Sequence, residues 1–276
     1  MKYKLITSKV VPDFPESPAE VLLSRTGGKF YLYQSESIFK RNAIVQFAKA
    51  DKDFSFAFID SEMKIKAIFF DMDATVIKEE SIVELSRYAG TEEKVELITE
   101  KAMAGELSFE EALNERVGTL EGLSDDIFEK VFPKLTLQPG AEELIKSFKD
   151  LSIPSFLVSG GFTQLAFPLI EKIGILEARA NVLEVVNEKL TGKVKGQIIG
   201  AEEKKIFLEE MAKKHNFAPE ETVAVGDGAN DLKMLEKSRI SVGFLPKDIL
   251  IEHVDVLNRT GSHLFLLDIL EVVSLV

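Results

Sequence analysis

Two groups of aspartates in this chain stand where carboxylates could act together. The first lies in the run Ile68-Phe69-Phe70-Asp71-Met72-Asp73-Ala74-Thr75. The second lies in Ala224-Val225-Gly226-Asp227-Gly228-Ala229-Asn230-Asp231, where two acids and an amide follow a strand-like apolar run. An ionised carboxylate serves as nucleophile, as general acid or base, or as a ligand for a hard cation. Burying one is costly, and a second about 4 Å away adds roughly 4 kcal/mol of repulsion at an effective dielectric near 20. A cation or a reaction is a reason to keep such a pair. Taken alone, the first run also reads as a pair of turn aspartates, and Asp231 also reads as a helix N-cap.

Two further pieces could join them. Val158-Ser159-Gly160-Gly161 places a hydroxyl before two glycines, so backbone N–H groups could approach a phosphate oxygen closely. By itself it is also an ordinary loop. Lys204 opens a helical stretch after Gly200, among Glu202, Glu203 and Lys205. A lysine in that company is ordinarily a solvated face residue.

All four pieces sit at the ends of elements that would converge. Residues 65–70 read as a buried strand, with Ile65, Ala67, Ile68, Phe69 and Phe70 apolar. Residues 155–158, 222–225 and 240–242 read as further strands. Residues 141–151, 163–173, 204–215 and 231–237 read as helices, and 181–199 as a β-hairpin around Asn187 and Glu188. Such alternation implies a mostly parallel sheet with helices on both faces, which binds ligands at the carboxyl ends of its strands. Residues 81 to about 134 are helical in pattern instead: 81–88, 91–104, 108–120 and 124–132. Gly90, Gly105 and Gly122 supply stop signals, and Ser108 with Glu111 forms a capping-box signature. This block reads as a helical bundle inserted after the first strand of the α/β domain.

Residues 1–63 read as a separate small α+β unit. Strands at 19–24 and 29–33 flank a turn at Arg25-Thr26-Gly27-Gly28, a helix covers 35–49, and another strand covers 54–59. So short a unit makes a marginal core and needs the main domain or a partner to lean on. Residues 60–64 read as the linker, and 64–276 as the catalytic domain, with the inserted bundle at about 79–138.

The chain has 276 residues, 45% hydrophobic and 29% charged, with a net charge of −12. This acidic balance argues against nucleic-acid binding. The absence of cysteine excludes disulfides, thiolate catalysis and cysteine-held zinc, and fits a cytoplasmic location. The opening MKYKLITSKVVPDF lacks the apolar stretch of a signal peptide, and no apolar run approaches the ~18 residues of a membrane span. The apolar end from 264 to 276 reads as a helix packed on the core. His215, His253 and His263 lie outside any motif and read as surface or structural residues.

The four pieces in this order resemble the haloacid dehalogenase superfamily, a doubly wound α/β fold with an inserted cap. Within it, the phosphoserine phosphatases are the closer resemblance. It rests on DMDAT at 71–75, Glu80, the run Met103-Ala104-Gly105-Glu106-Leu107-Ser108-Phe109, Arg116-Val117, SGGF at 159–162, Lys204 and VGDGANDL at 225–232. It covers roughly 66 to 270. It implies a Mg²⁺-dependent phosphatase that hydrolyses O-phospho-L-serine, the last step of serine biosynthesis, through an aspartyl-phosphate. Asp71 is then the nucleophile and Asp73 the general acid and base. Asp71, Asp227 and the Asp73 backbone carbonyl are the metal ligands. Ser159, Gly160, Lys204, Thr75 and Asn230 hold the phosphoryl group and its loop. Asn230 and Asp231 support the metal waters and Lys204.

The resemblance also implies that the cap sets the substrate. Arg116 suits the carboxylate of phosphoserine and Glu80 its ammonium, while Phe109 shares a helix face with Arg116 and Met103 helps close the site. Read without it, Arg116 is a surface cation paired with Glu115 or Glu110, and Phe109 is a core residue. A second copy bound through the N-terminal unit is compatible with this reading. Open alternatives are another phosphorylated amino acid or amino alcohol, with hydrolysis or transfer, and a non-catalytic serine-binding homologue. The sequence departs from the family at Met72, at Ala74 and in Phe244-Leu245-Pro246-Lys247-Asp248.

Overall fold

The computed structural model describes residues 3–12, 18–35, 41–60 and 62–272, the side chain of Met103 excepted. Runs rich in β-branched and aromatic residues form strands, and the longer periodic stretches between them form helices. The N-terminal part contains β1 (Tyr3–Thr7), β2 (Ala19–Leu22), β3 (Lys29–Ser35), α1 (Arg41–Ala50) and β4 (Phe56–Asp60). Next come β5 (Ala67–Phe70), α2 (Ser81–Ala89), α3 (Glu92–Met103), α4 (Phe109–Gly118), α5 (Ile127–Val131) and α6 (Ala141–Asp150). Then follow β6 (Ser155–Phe162), α7 (Thr163–Ile173), β7 (Glu177–Val186), β8 (Lys189–Lys195) and α8 (Ala201–Lys214). The chain continues through β9 (Thr222–Gly226), α9 (Leu232–Lys237), β10 (Ile240–Phe244), β11 (Val256–Asn258) and α10 (Leu264–Val272). The expected helical stretches at 36–40 and 273–276 lie outside the described residues.

One sheet runs in the order β2-β3-β1-β4-β11-β10-β9-β5-β6-β7-β8. Strands β11, β10, β9, β5, β6 and β7 are parallel. From β5 the chain builds toward β6 and β7 on one side, and later toward β9, β10 and β11 on the other. The switch in direction falls beside β5, where the loops after β5 and β9 separate and leave a crevice. The acid-bearing loops occupy that crevice.

Helices α2 to α5 are inserted between β5 and β6. The two connecting segments pair at Ile77 and Leu137, and the Lys78 N–H donates to the Thr136 carbonyl at 2.9 Å. The β7–β8 hairpin, which turns at Asn187 and Glu188 with φ of 52° and 60°, reaches up to the same bundle. Gly122 N–H donates to Leu190 O, and Leu190 N–H to Leu123 O, both at 2.8 Å. The capping box at Ser108 and Glu111 is formed and starts α4.

The N-terminal strands extend the same sheet. β4 pairs antiparallel with β11. Leu5, Tyr33, Ile44 and Phe56 share an apolar cluster with Phe69, Phe156 and Phe207. On the other face Ile6, Leu23 and Phe30 join Phe265, Leu266 and Ile269. Asp268 of α10 accepts from the N–H groups of Arg25 and Thr26 at 3.0 and 2.8 Å, tying down the β2–β3 turn. The unit leans on the main domain through both faces and an edge. Two of the elements, β1 and β11, were not apparent in the sequence pattern.

Candidate active site

β5, β6 and β9 are buried parallel strands; β5 and β9 end in polar loops at the same edge of the sheet, and β6 runs on into α7. Asp71 follows β5, Ser159 and Gly160 lie in β6, and Asp227 follows β9. Lys204 comes from the first turn of α8, wholly buried, with Nζ 2.8 Å from Asp71 Oδ1 and 2.7 Å from Asp231 Oδ1. The solvated-face reading of this lysine is therefore excluded. Asp231 Oδ2 accepts from the N–H groups of Asp227 and Gly228, each at 3.0 Å. A Cβ at Gly226 would stand 2.3 Å from Asp231 Cγ, so only glycine leaves room for this acid.

Asp71, Asp227 and Asp231 are buried and offer ligand atoms within 4.8 Å of one another. Burial pushes the Asp71 carboxyl well above the usual carboxylate range; Asp231 and Asp227 add to the push, and Lys204 opposes it. Burial and then Asp231 raise Asp227 to about 6, with Lys247 and Lys204 opposing. Burial alone would lower the Lys204 ammonium, but Asp231 and Asp71 outweigh it and hold the lysine above its ordinary value. Three buried carboxylates thus gather beside one buried ammonium, which pairs with two of them, and the group could hold a cation.

Asp73 turns away from that cluster. Its Oδ2 accepts from the N–H and Oγ of Ser81 at 3.1 and 2.6 Å, and its Oδ1 is buried without a partner. Burial and then the nearby Glu80 push it up to about 7, against the two bonds from Ser81. The sequence placed Asp231 in a supporting role beside Lys204; its side chain also stands with Asp71 and Asp227 in the acidic group.

Two clamps hold the loop after β5. Gln138 Nε2 donates to the Ala74 carbonyl at 3.2 Å, and His263 Nε2 to the Thr75 carbonyl at 2.8 Å. Ala74 has a φ of 54°, a left-handed conformation that a neighbouring framework must impose. The His263 ring stacks on Phe244 at 4.0 Å. Burial keeps that imidazole neutral by lowering its pKa to about 4. His263 is structural, as read, but it acts on a site loop. Thr75 is buried, and its Oγ1 has no partner among the described residues. Met72 is buried against Gly161.

The cap closes over this floor. A Cβ at Gly160 would meet Phe109 Cζ at 3.2 Å, and one at Gly200 would meet Phe109 Cδ1 at 3.5 Å. Phe109 therefore lies across both backbones. Arg116 is half-buried and faces Glu80 and Asp73; burial lowers its pKa and these two acids oppose the shift. Its Nε donates to Ala112 O at 3.1 Å, and the surface pair with Glu115 or Glu110 is not formed. Glu80 is exposed at the start of α2. The Met103 side chain lies outside the described residues. Asn230 is half-buried beside Gly228 and makes no hydrogen bond to Lys204 or the acids among the described residues.

Sequence reasoning missed Ser81, Gln138 and Lys247. Lys247 Nζ stands 3.3 Å from Asp227 Oδ2. Its signal was present: the 244–248 stretch follows β10, another strand ending at the same edge. Leu245 there has a φ of 42°, and the Lys247 N–H donates to Asp227 O at 2.8 Å.

Residues 68–236 match the family described as haloacid dehalogenase-like hydrolase. The chain belongs to that family. A phosphoserine phosphatase from Methanocaldococcus jannaschii is 43% identical over 195 residues, covering 71% of this chain and 92% of the relative. One from Archaeoglobus fulgidus is 43% identical over 190 residues, 69% of this chain; the match spans about half, 55%, of that relative's length. A solved structure titled as a phospho-aspartyl intermediate analogue of phosphoserine phosphatase matches with a TM-score of 0.70 and 41% identity, over 76% of this chain and 99% of the other. A haloacid dehalogenase family hydrolase from Salmonella enterica serovar Typhi matches over 98% of this chain and 99% of its own, with a TM-score of 0.86 and 23% identity. The last shares the fold, N-terminal strands included. Among the described residues no helix is long and apolar enough to cross a membrane.

Proposed function

We propose that this protein is a phosphatase that hydrolyses O-phospho-L-serine to L-serine and phosphate. The observation that carries the reading is the buried Lys204, bonded to Asp71 and Asp231 at 2.8 and 2.7 Å at a strand switch point. Such a lysine beside a carboxylate nucleophile accounts for phosphoryl transfer better than for binding alone. The relatives named phosphoserine phosphatase support the substrate.

Asp71 attacks phosphorus, and the ester oxygen of serine leaves. Asp73, with a pKa of about 7, is protonated in part of the population near neutrality and can give its proton to that oxygen from the unpartnered Oδ1. Serine departs, and the phosphoryl group remains bonded to the Asp71 carboxylate as an acyl phosphate. Asp73, now ionised, takes a proton from a water that attacks phosphorus. The Asp71–phosphate bond breaks, and phosphate and a free carboxylate result. Lys204, the Ser159 hydroxyl and the Gly160 N–H hold the charge that spreads over the phosphoryl oxygens. Asp71, Asp227 and the Asp73 carbonyl would hold Mg²⁺, which supplies positive charge between the phosphate and the carboxylates. Asp231 and the clamps on 74 and 75 hold the floor in place.

In the cap, Arg116 would pair with the substrate carboxylate and Glu80 with its ammonium, while Phe109 excludes water. Phosphate release from a panel of phosphorylated amino acids, amino alcohols, sugars and nucleotides, with and without Mg²⁺, tests the proposal. Preference for phosphoserine and dependence on Mg²⁺ are expected. Faster turnover of a sugar phosphate or a nucleotide would contradict the substrate, and serine binding without turnover of any ester would contradict the reaction.

A further inference from the structure

Asn181 lies in β7, almost fully buried, and touches none of the reacting groups. Its neighbours explain why an amide is there. The β6–β7 ladder pairs Val158 with Arg179 and then Phe162 with Asn181, so β6 spends extra residues between the two pairs. Those residues are Ser159, Gly160 and Gly161, which leave the ladder and lose their regular backbone partners. Asn181 Nδ2 donates to the Gly160 carbonyl at 2.8 Å in their place. Its Oδ1 accepts from the Ile199 N–H, also at 2.8 Å. Ile199 directly precedes Gly200 and the helix that delivers Lys204. A carbonyl on one side and an N–H on the other permit only one orientation of the amide.

We infer that Asn181 is a positioning residue that fixes the phosphate-binding peptide at 159–161 to the loop launching Lys204. It thereby also sets the spacing of Gly160 and Gly200, the two backbones across which Phe109 of the cap lies. Aspartate keeps the bond from Ile199 but cannot donate to Gly160, and leucine can make neither bond. The inference rests on the phosphatase reading above, because it assigns Asn181 to the cradle of the phosphoryl group. An error in the Gly160 peptide would misplace donors meant for the transferring group, whatever alcohol it leaves.

The test compares Asn181→Asp and Asn181→Leu with Leu183→Ala, which opens a cavity at the same strand and removes neither of the two bonds. Wild-type protein is assayed first with phosphoserine and with an aryl phosphate. Both Asn181 variants are expected to lose kcat by about 10–100-fold on both substrates, the usual cost of removing an orienting partner, with KM changed by less than about threefold on the same grounds. Inorganic phosphate, titrated calorimetrically with Mg²⁺ present, is expected to bind them about tenfold more weakly. Leu183→Ala is expected to lower Tm and leave kcat and phosphate affinity near wild type. If one Asn181 variant does not fold, the other carries the same expectation. Near-wild-type kcat and phosphate affinity in a folded Asn181 variant, or equal losses in Leu183→Ala, would overturn the inference. Phosphate binding decides it even where phosphoserine is not the substrate. A wild-type chain that neither turns over an ester nor binds phosphate would overturn both readings, whereas turnover of only another ester would overturn the substrate alone.

Discussion

In the floor of the site, Asp231 accepts from Lys204 at 2.7 Å and from two backbone N–H groups at 3.0 Å. In the cap, the Arg116 guanidinium bonds only its own helix, at Ala112, among the described residues. The floor is held by Lys204, Asp71 and Asp231, which bond one another and the loop backbone, at the ends of strands buried from end to end. The cap is held as a body, by its paired connecting segments and by the β7–β8 hairpin. The difference assigns different work to the two regions. On the proposed function, a pre-organised floor would act on the phosphoryl group that all substrates share. A cap with an uncommitted cation would act on what distinguishes one substrate from another.

The largest effect separating the regions is expected from Asp73→Asn. It removes the proton carrier, so kcat should fall about 10²–10⁴-fold for a poorly leaving alcohol such as serine. An aryl phosphate, whose leaving group needs less protonation, should lose less in the first step. A small, equal loss on both would remove Asp73 from its role. Arg116→Ala comes next. Losing a charge-assisted pair should raise KM for phosphoserine about 10–100-fold and leave an aryl phosphate nearly unaffected. Equal effects on the two substrates would erase the distinction between cap and floor.

The framework of the floor has its own signature in pH. His263 is neutral when buried, with a pKa of about 4 against 6.5 when exposed. Above 6.5 both native and unfolded chains hold it neutral, and its full contribution is present. As pH falls from 6.5 toward 4 the unfolded chain gains a proton that the native chain does not, so stability is lost. The loss approaches about 3 kcal/mol near pH 4. Urea unfolding of His263→Gln should show a correspondingly shallower decline over this range than wild type; identical slopes would contradict the assignment. The smallest effect belongs to the cap. Ser108→Ala removes the N-cap of α4 and should cost about 1 kcal/mol in unfolding free energy, with kcat on an aryl phosphate unchanged.

The floor was more legible in the sequence than the rest. Asp71, Asp73 and Asp227 follow recognisable strands, and burial of charge is unusual enough to mark them; Ser159 and Lys204 stood out only through the family resemblance. The capping box and the glycine stops made the cap visible as helices, but not the way the β7–β8 hairpin props it. The partners of the floor were harder to see. Ser81, Gln138, Asn181 and His263 act through one or two bonds each to backbone or side chains brought near by the fold, and ordinary polar residues leave no periodic trace of such contacts. β11 spans only Val256–Asn258, too short for an alternation to declare itself. It nevertheless carries the pairing that makes the N-terminal strands part of one sheet.

The central claim is that the Asp71 carboxylate becomes phosphorylated, as an acyl phosphate, during turnover. Rapid acid quenching of the wild-type protein mixed with phosphoserine carrying radioactive phosphorus, followed by peptide mapping, tests it directly. A base-labile label on the peptide containing Asp71 is expected, absent in Asp71→Asn, whose turnover should fall by about 10⁴-fold or more. Label on a different residue, or undiminished turnover by Asp71→Asn, would contradict the account.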